Sequence, residues 1–161
     1  MSSRKTPTLR FDFSPERLLA SGPIIETDIG VTGTFAEALR SEGKSVPNKV
    51  RCRLLLDTGA DLCLIRHDIA LKSGLKLISA ESPIHGVGVD TTGKSYLGRV
   101  WIGDQSKHEI WIDTEIVGAT LPYEHVDGLM GRDVLQYFDL RYNGQTGRVT
   151  MDYLRPNNKR R

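Results

Sequence analysis

The stretch Leu54-Leu55-Leu56-Asp57-Thr58-Gly59-Ala60-Asp61-Leu62-Cys63-Leu64-Ile65 decides how the chain is read. An acidic residue closes a fully apolar run, and small residues follow at once. A carboxylate at the mouth of an apolar strand is costly to leave without a partner, so it must be hydrogen-bonded, matched with another group, or used in chemistry. Gly59 lets the backbone turn sharply and approach other groups closely. The Thr58 hydroxyl can tie that turn down. Taken alone, Asp57 also fits a turn or cap aspartate after a strand.

Working outward, most of the remaining pattern is β. Ile24 to Val31, Lys49 to Leu56, Leu62 to Ile65, Val100 to Ile102, Glu109 to Val117 and Val149 to Tyr153 are short runs rich in Val, Ile, Leu and Trp. Helical signals are few. Ser14-Pro15-Glu16-Arg17-Leu18-Leu19-Ala20 offers a cap and a first-turn proline, ended by Gly22-Pro23; Arg66 to Ser73 is closed by Gly74; Arg132 to about Phe138 is the third. The stretch Ala36 to Asn48 reads as a polar surface loop, and Asn143 to Gly147 as a hairpin turn. Trp101 and Trp111 are expected in the core. The class is all-β with short helices. There is no internal repeat, so whatever site the chain carries appears once.

A chain of 161 residues suits one domain with a real core. Hydrophobic residues at 39% and charged residues at 26% fit a globular protein rather than a disordered or membrane one. The net charge of +2 is small, and the basic residues at Arg4, Lys5 and Arg155 to Arg161 read as solvated tails, so no nucleic-acid partner is expected. No apolar run approaches the ~18 residues of a membrane helix. The polar start Met1 to Pro7 is not followed by a signal-peptide core, so a cytoplasmic protein with no membrane partner is expected. Cys52 and Cys63 cannot build a disulfide framework, and Cys63 with His67 lacks the further ligands of a zinc site. His67, His85, His108 and His125 are scattered singly and read as surface or core residues. No metal and no cofactor are expected.

Two further segments give the aspartate its context. Val126-Asp127-Gly128-Leu129-Met130-Gly131-Arg132-Asp133-Val134-Leu135 is an apolar strand running into Gly-Arg-Asp and a short helix. Pro83 to Leu97, with Gly86-Val87-Gly88 inside it, has the glycines and flanking branched residues of a mobile hairpin. Together with Asp57-Thr58-Gly59-Ala60, these segments resemble the retropepsins, the retroviral-type aspartic proteases. The resemblance runs roughly from Ile24 to Tyr153. It implies a closed β-barrel of the acid-protease type, one lobe per chain, over residues 23–154. Residues 1–22 are then a partly flexible extension and 155–161 a basic tail.

The resemblance also implies roles. Asp57, Thr58 and Gly59 would be catalytic; Ala60, Asp61, Gly86, Val87 and Gly88 would contact substrate, the last three in a flap that closes over bound peptide. Gly131, Arg132 and Asp133 would support the catalytic loop, with Arg132 in a buried ionic network and Asp61 as its partner. Hydrolysis by this chemistry needs two carboxylates, one as base and one as acid. One Asp-Thr-Gly per chain therefore implies a homodimer acting on a peptide or protein, with Thr58 bonding across the two-fold axis and the chain ends pairing into an intersubunit sheet.

Two other readings fit parts of the same sequence. Gly88-Val89-Asp90-Thr91-Thr92-Gly93-Lys94-Ser95 satisfies the phosphate-loop pattern, and Ile110-Trp111-Ile112-Asp113 could pose as its magnesium-binding strand. A phosphate loop must open a helix, however, and Tyr96 to Gly103 reads as a strand. A non-catalytic dimeric peptide-binding module would keep the fold. Intact Asp57, Thr58 and Gly59 count against it, since a binder has no need of a costly carboxylate pair.

Overall fold

The alternation of inward apolar and outward polar residues sets the architecture. In the computed structural model, which describes residues 6–86, 89–104, 108–122 and 124–154, the elements follow in order. They are β1 (Thr8–Asp12), α1 (Pro15–Ser21), β2 (Ile24–Gly30), α2 (Gly33–Ser41), β3 (Val50–Leu56), β4 (Cys63–Arg66), α3 (His67–Lys72) and β5 (Lys76–Gly86). Then come β6 (Val89–Gly103), β7 (Glu109–Ala119), β8 (Gly128–Met130), α4 (Arg132–Leu135), β9 (Phe138–Asn143) and β10 (Arg148–Tyr153).

Six strands close on themselves in the order β2-β3-β8-β4-β7-β6, the ring being completed by β2 against β6, while β5 extends the sheet from β6. This is the closed β-barrel expected. Its interior is filled from alternate positions: Ile25 and Ile29 from β2, Cys52, Leu54 and Leu56 from β3, Val100 and Ile102 from β6, Ile110 and Ile112 from β7. Arg51 and Arg53 alternate outward on β3 and meet Asp28 and Asp127 there. No helix among the described residues is long and apolar enough to cross a membrane.

β8 lies between β3 and β4, parallel to the first and antiparallel to the second. The segment joining β3 to β4 must therefore cross the end of β8. That crossing creates the site described below.

The remaining strands form a separate sheet in the order β1-β10-β9. β1 and β10 run antiparallel from Thr8 opposite Asp152 to Asp12 opposite Arg148, so the two ends of the chain pair with each other within one subunit. The segment expected as an extension thus contributes to the core: Leu9 and Leu18 are fully buried.

Several expectations need correction. The stretch read as a loop from Ala36 begins inside a helix, α2. Thr32 caps it by accepting a hydrogen bond from the Phe35 amide at 3.2 Å, and Thr34 to Arg40 holds mostly good helix formers. Trp111 is 52% exposed rather than in the core. Ile110 and Ile112 take the inward positions of β7, so period two turns Trp111 outward, where the Arg99 guanidinium lies 3.8 Å from its ring centroid. Trp101, opposite Trp111 in register, is only partly buried and sits under Lys49 at 4.2 Å. The strand expected over Val100 to Ile102 is the end of a much longer one. Because Lys94 and Ser95 sit inside β6, paired with Gly118 and Val117, no helix follows them and the phosphate-loop reading loses the element it requires.

Burial of Leu9 gives the amino-terminal strand a measurable weight. Leu9→Ala is expected to lower unfolding free energy by about 2–5 kcal/mol, read from denaturant midpoints; a loss under about 0.5 kcal/mol would mean that β1 is dispensable.

Candidate active site

Asp57 follows the last residue of β3, and its amide donates to the Met130 carbonyl at 3.0 Å, continuing the β3–β8 ladder by one bond. The chain then turns. The Gly59 amide donates to Asp57 Oδ1 at 2.8 Å and the Ala60 amide to the Asp57 carbonyl at 3.2 Å. The aspartate itself ties the turn, as short acidic side chains do. The expected contribution of the Thr58 hydroxyl is not among the described hydrogen bonds, and the Thr58 side chain is exposed.

The segment after β8 clamps this loop from below. The Arg132 amide donates to the Ala60 carbonyl at 2.9 Å and the Asp133 amide to the Asp61 carbonyl at 3.1 Å. Arg132 Nη1 donates to the Thr58 carbonyl at 2.7 Å, and Nη2 is ion-paired with Asp61 Oδ1. Both partners of that pair are exposed in the single chain rather than buried. Surface ion pairs are worth little in stability, so the chief effect of Arg132 is positional: its fork fixes a carbonyl and a carboxylate of the same loop.

Close approach explains the glycine before it. A Cβ on Gly131 would lie 2.5 Å from the Leu62 carbonyl oxygen and 2.9 Å from the Leu62 nitrogen. The crossing strand and the loop are therefore in direct backbone contact.

The structure thus brings together Asp57, Thr58, Gly59, Ala60 and Asp61 with Gly131, Arg132 and Asp133. Gly86 stands on a different element, at the end of β5 where it pairs with Val89. Val87 and Gly88 lie outside the described residues. The β5–β6 hairpin has register shifts between Leu77 and Ser79 and between Ser79 and Ser82, which loosen its base.

Two residues beneath the loop escaped the sequence reading. Asp127 joins both neighbours of β8: its carboxylate accepts from the Arg53 amide at 2.8 Å and its carbonyl from the Arg66 amide at 2.9 Å. Thr114 donates its hydroxyl to Asp133 Oδ2 at 2.8 Å, holding the start of α4 against β7. The signal for Asp127 in the sequence is a lone acid directly before an apolar strand, which is as costly to leave without a partner as Asp57.

Cys63 is buried close to Asp133. Burial first, and then the Asp133 charge, push its thiol well above the ordinary range; burial raises Cys52 to about 11. Both stay protonated at neutral pH and are poor nucleophiles. The only acid of this loop that is both anchored by the backbone and left with a reachable oxygen is Asp57: Oδ1 is engaged by Gly59, and no described hydrogen bond within the chain takes Oδ2.

A closed six-stranded barrel whose Asp-Thr-Gly loop is clamped by a crossing Gly-Arg-Asp segment defines a retropepsin-like lobe. The family model described as retroviral aspartyl protease matches residues 20–143, and the chain belongs to that family. No curated protein matches the chain.

The clamp makes Gly131 intolerant of a side chain. Gly131→Ala is expected to cost more than about 2 kcal/mol of stability, because backbone rather than a flexible side chain must move. Chemical denaturation checks it, and a change within about 0.5 kcal/mol would mean that the crossing is looser than described.

Proposed function

We propose that the protein is an aspartic endopeptidase, active as a homodimer in which two copies of Asp57 activate one water molecule. The observation that carries the reading is the anchoring of Asp57. Its backbone is bonded to β8 and its Oδ1 to Gly59, which leaves the other carboxylate oxygen available on the exposed loop.

One carboxylate is not enough for the chemistry. Attack on a peptide carbonyl requires a base to take a proton from water and an acid to give one to the carbonyl oxygen. Two carboxyl groups in hydrogen-bond contact share a single proton, since two like charges at that distance repel. The ionised member serves as base and the protonated member as acid, and the roles exchange as the tetrahedral intermediate collapses and the amine leaves. Each chain supplies one Asp-Thr-Gly, so two-fold symmetry supplies the partner. In this reading Thr58, which is exposed on the loop, bonds across that axis.

Substrate binds as an extended peptide, adding its backbone to exposed strand and loop groups while alternate side chains enter pockets. Ala60 spends its carbonyl on Arg132, so main-chain contacts fall to Gly59 and to the exposed Asp61 carboxylate. The β5–β6 hairpin, with Gly86 at the end of β5, acts as the flap that closes over the peptide and excludes water.

Asp57→Asn is expected to keep the fold and dimer while lowering peptidase activity by at least about a thousandfold, measured on a diverse peptide mixture, because the amide supplies no base. Undiminished cleavage by the purified variant would end the assignment. Wild-type activity per chain is expected to fall on dilution below the dimer's dissociation constant; concentration-independent activity from a monomer would contradict the shared site.

A further inference from the structure

Asn143-Gly144 is the one pair in the chain in which glycine follows asparagine. It opens the turn between β9 and β10, whose ends, Asn143 and Arg148, stand opposite each other in register. Asn143 folds its side chain back over this turn: Oδ1 accepts from the Gln145 amide and from the Thr146 amide, both at 3.1 Å. Short polar side chains take this role in turns. Asn143 to Thr146 are exposed to water.

The same two bonds prime the side chain for reaction. Both amides draw electron density from Cγ, and both face the oxygen on which negative charge builds when a nitrogen adds to that carbon, the arrangement of an oxyanion hole. The nitrogen that the chain ties nearest is the Gly144 amide, whose attack on Cγ closes a succinimide ring. Glycine carries no Cβ to crowd that approach. None of the described hydrogen bonds takes the Gly144 amide, so nothing has to break before it reacts. Asparagine is among the thermolabile residue types, and here both partners of its decay are in place.

We propose that Asn143 is a site of self-modification in the folded protein, converting to aspartate and to β-linked isoaspartate through a cyclic imide with Gly144. The Gly144 nitrogen gives its proton to water or hydroxide and bonds to Asn143 Cγ. The bond from Cγ to Nδ2 then breaks, and that nitrogen takes up a proton and leaves as ammonia. Water opens the imide. Attack at Cγ restores the ordinary backbone and leaves an aspartate; attack at the main-chain carbonyl carbon leaves an isoaspartate, whose backbone runs through the former side chain. Nothing is oxidised or reduced, and water is the only co-reactant.

The two products act differently on the fold. Aspartate places a carboxylate opposite Arg148, whose Nε donates to Asp12 Oδ1 at 2.8 Å, and opposite charges at such a pair are favourable. Isoaspartate lengthens the main chain by a methylene at a turn with no room for it. The Gly147 carbonyl accepts from the Phe13 amide at 2.9 Å, and a Cβ on Gly147 would overlap the Phe13 carbonyl oxygen. Gly147 is itself left-handed, at φ 74°. The isoaspartate form therefore releases the link between this hairpin and the junction of β1 with α1, and the attachment of the first strand weakens as the molecule ages.

The test needs no peptidase activity. The full-length folded protein is held in mildly alkaline buffer and digested with trypsin, and the peptide Tyr142 to Arg148 is followed by mass spectrometry for replacement of the amide nitrogen by oxygen at Asn143. Asn48, also exposed but followed by Lys49, is the control within the same molecules. Conversion at Asn143 is expected to run at least about tenfold faster than at Asn48, and to slow at least about tenfold once Gly144→Ala puts a Cβ beside the attacking nitrogen. That Cβ would meet only Tyr142 Cε1, at 3.3 Å on an exposed side chain, so the variant keeps the wild-type circular dichroism. The isoaspartate form, separated by ion-exchange and hydrophobic-interaction chromatography, is expected to exchange the Phe13 amide hydrogen at least about tenfold faster than fresh protein, while the aspartate form matches fresh protein. An Asn143 as stable as Asn48, conversion confined to urea-unfolded chains, an unchanged rate in Gly144→Ala, or a Phe13 amide equally protected in the isoaspartate form would overturn the proposal.

Discussion

The position of β8 between β3 and β4 is the constraint from which the site follows. Because those two strands are consecutive but not adjacent, the residues joining them must pass over the end of β8, and they meet its continuation backbone to backbone at Gly131. Four hydrogen bonds then hold both the near and far sides of the loop: the Asp57 amide donates to the Met130 carbonyl, the Arg132 and Asp133 amides donate to the Ala60 and Asp61 carbonyls, and the Arg132 side chain donates to the Thr58 carbonyl. A loop pinned in this way holds its carboxylate without a separate stabilising element, which is what preorganised chemistry needs.

On the proposed reading, however, a single lobe holds only half of the reaction. One anchored carboxylate can accept a proton but has nothing beside it to give one, and the exposed Arg132 and Asp61 leave the loop face uncovered in the isolated chain. In the proposed function a second copy makes up both deficits. β9 follows directly from the helix that starts at the clamp. Fold and site are thus linked through one short segment, Gly131 to Leu135.

What could be read from the sequence was whatever depends on local pattern. Apolar runs such as Leu54-Leu55-Leu56 and the Asp-Thr-Gly after them signal a strand and a functional turn without knowledge of partners, and the alternation of β2 and β3 is visible in the residues themselves. α1 was legible for the same reason, since Ser14 and Pro15 write a helix start into two adjacent residues. The failures are of a different kind. Trp111 is large and apolar, yet the alternation of β7 and a cation from β6 keep it outside, and hydrophobicity alone cannot report which face a strand buries. α2 is not legible in this way because a polar, glycine- and proline-containing run follows it at once, while its cap, Thr32, stands four residues before Ala36. The pairing of β1 with β10 joins residues at opposite ends of the chain, and Asp127 acts by bonding to Arg53 and Arg66 on two separate strands; such contacts exist only once the topology does.

The central claim is that two copies of Asp57 meet. The most direct measurement is the separation of their carboxylate oxygens in a crystal structure of the assembled protein. The account predicts a two-fold dimer with the nearest oxygens about 3 Å apart or bridged by one water. An assembly that holds the two groups apart, with other protein atoms filling the space between them, would contradict it.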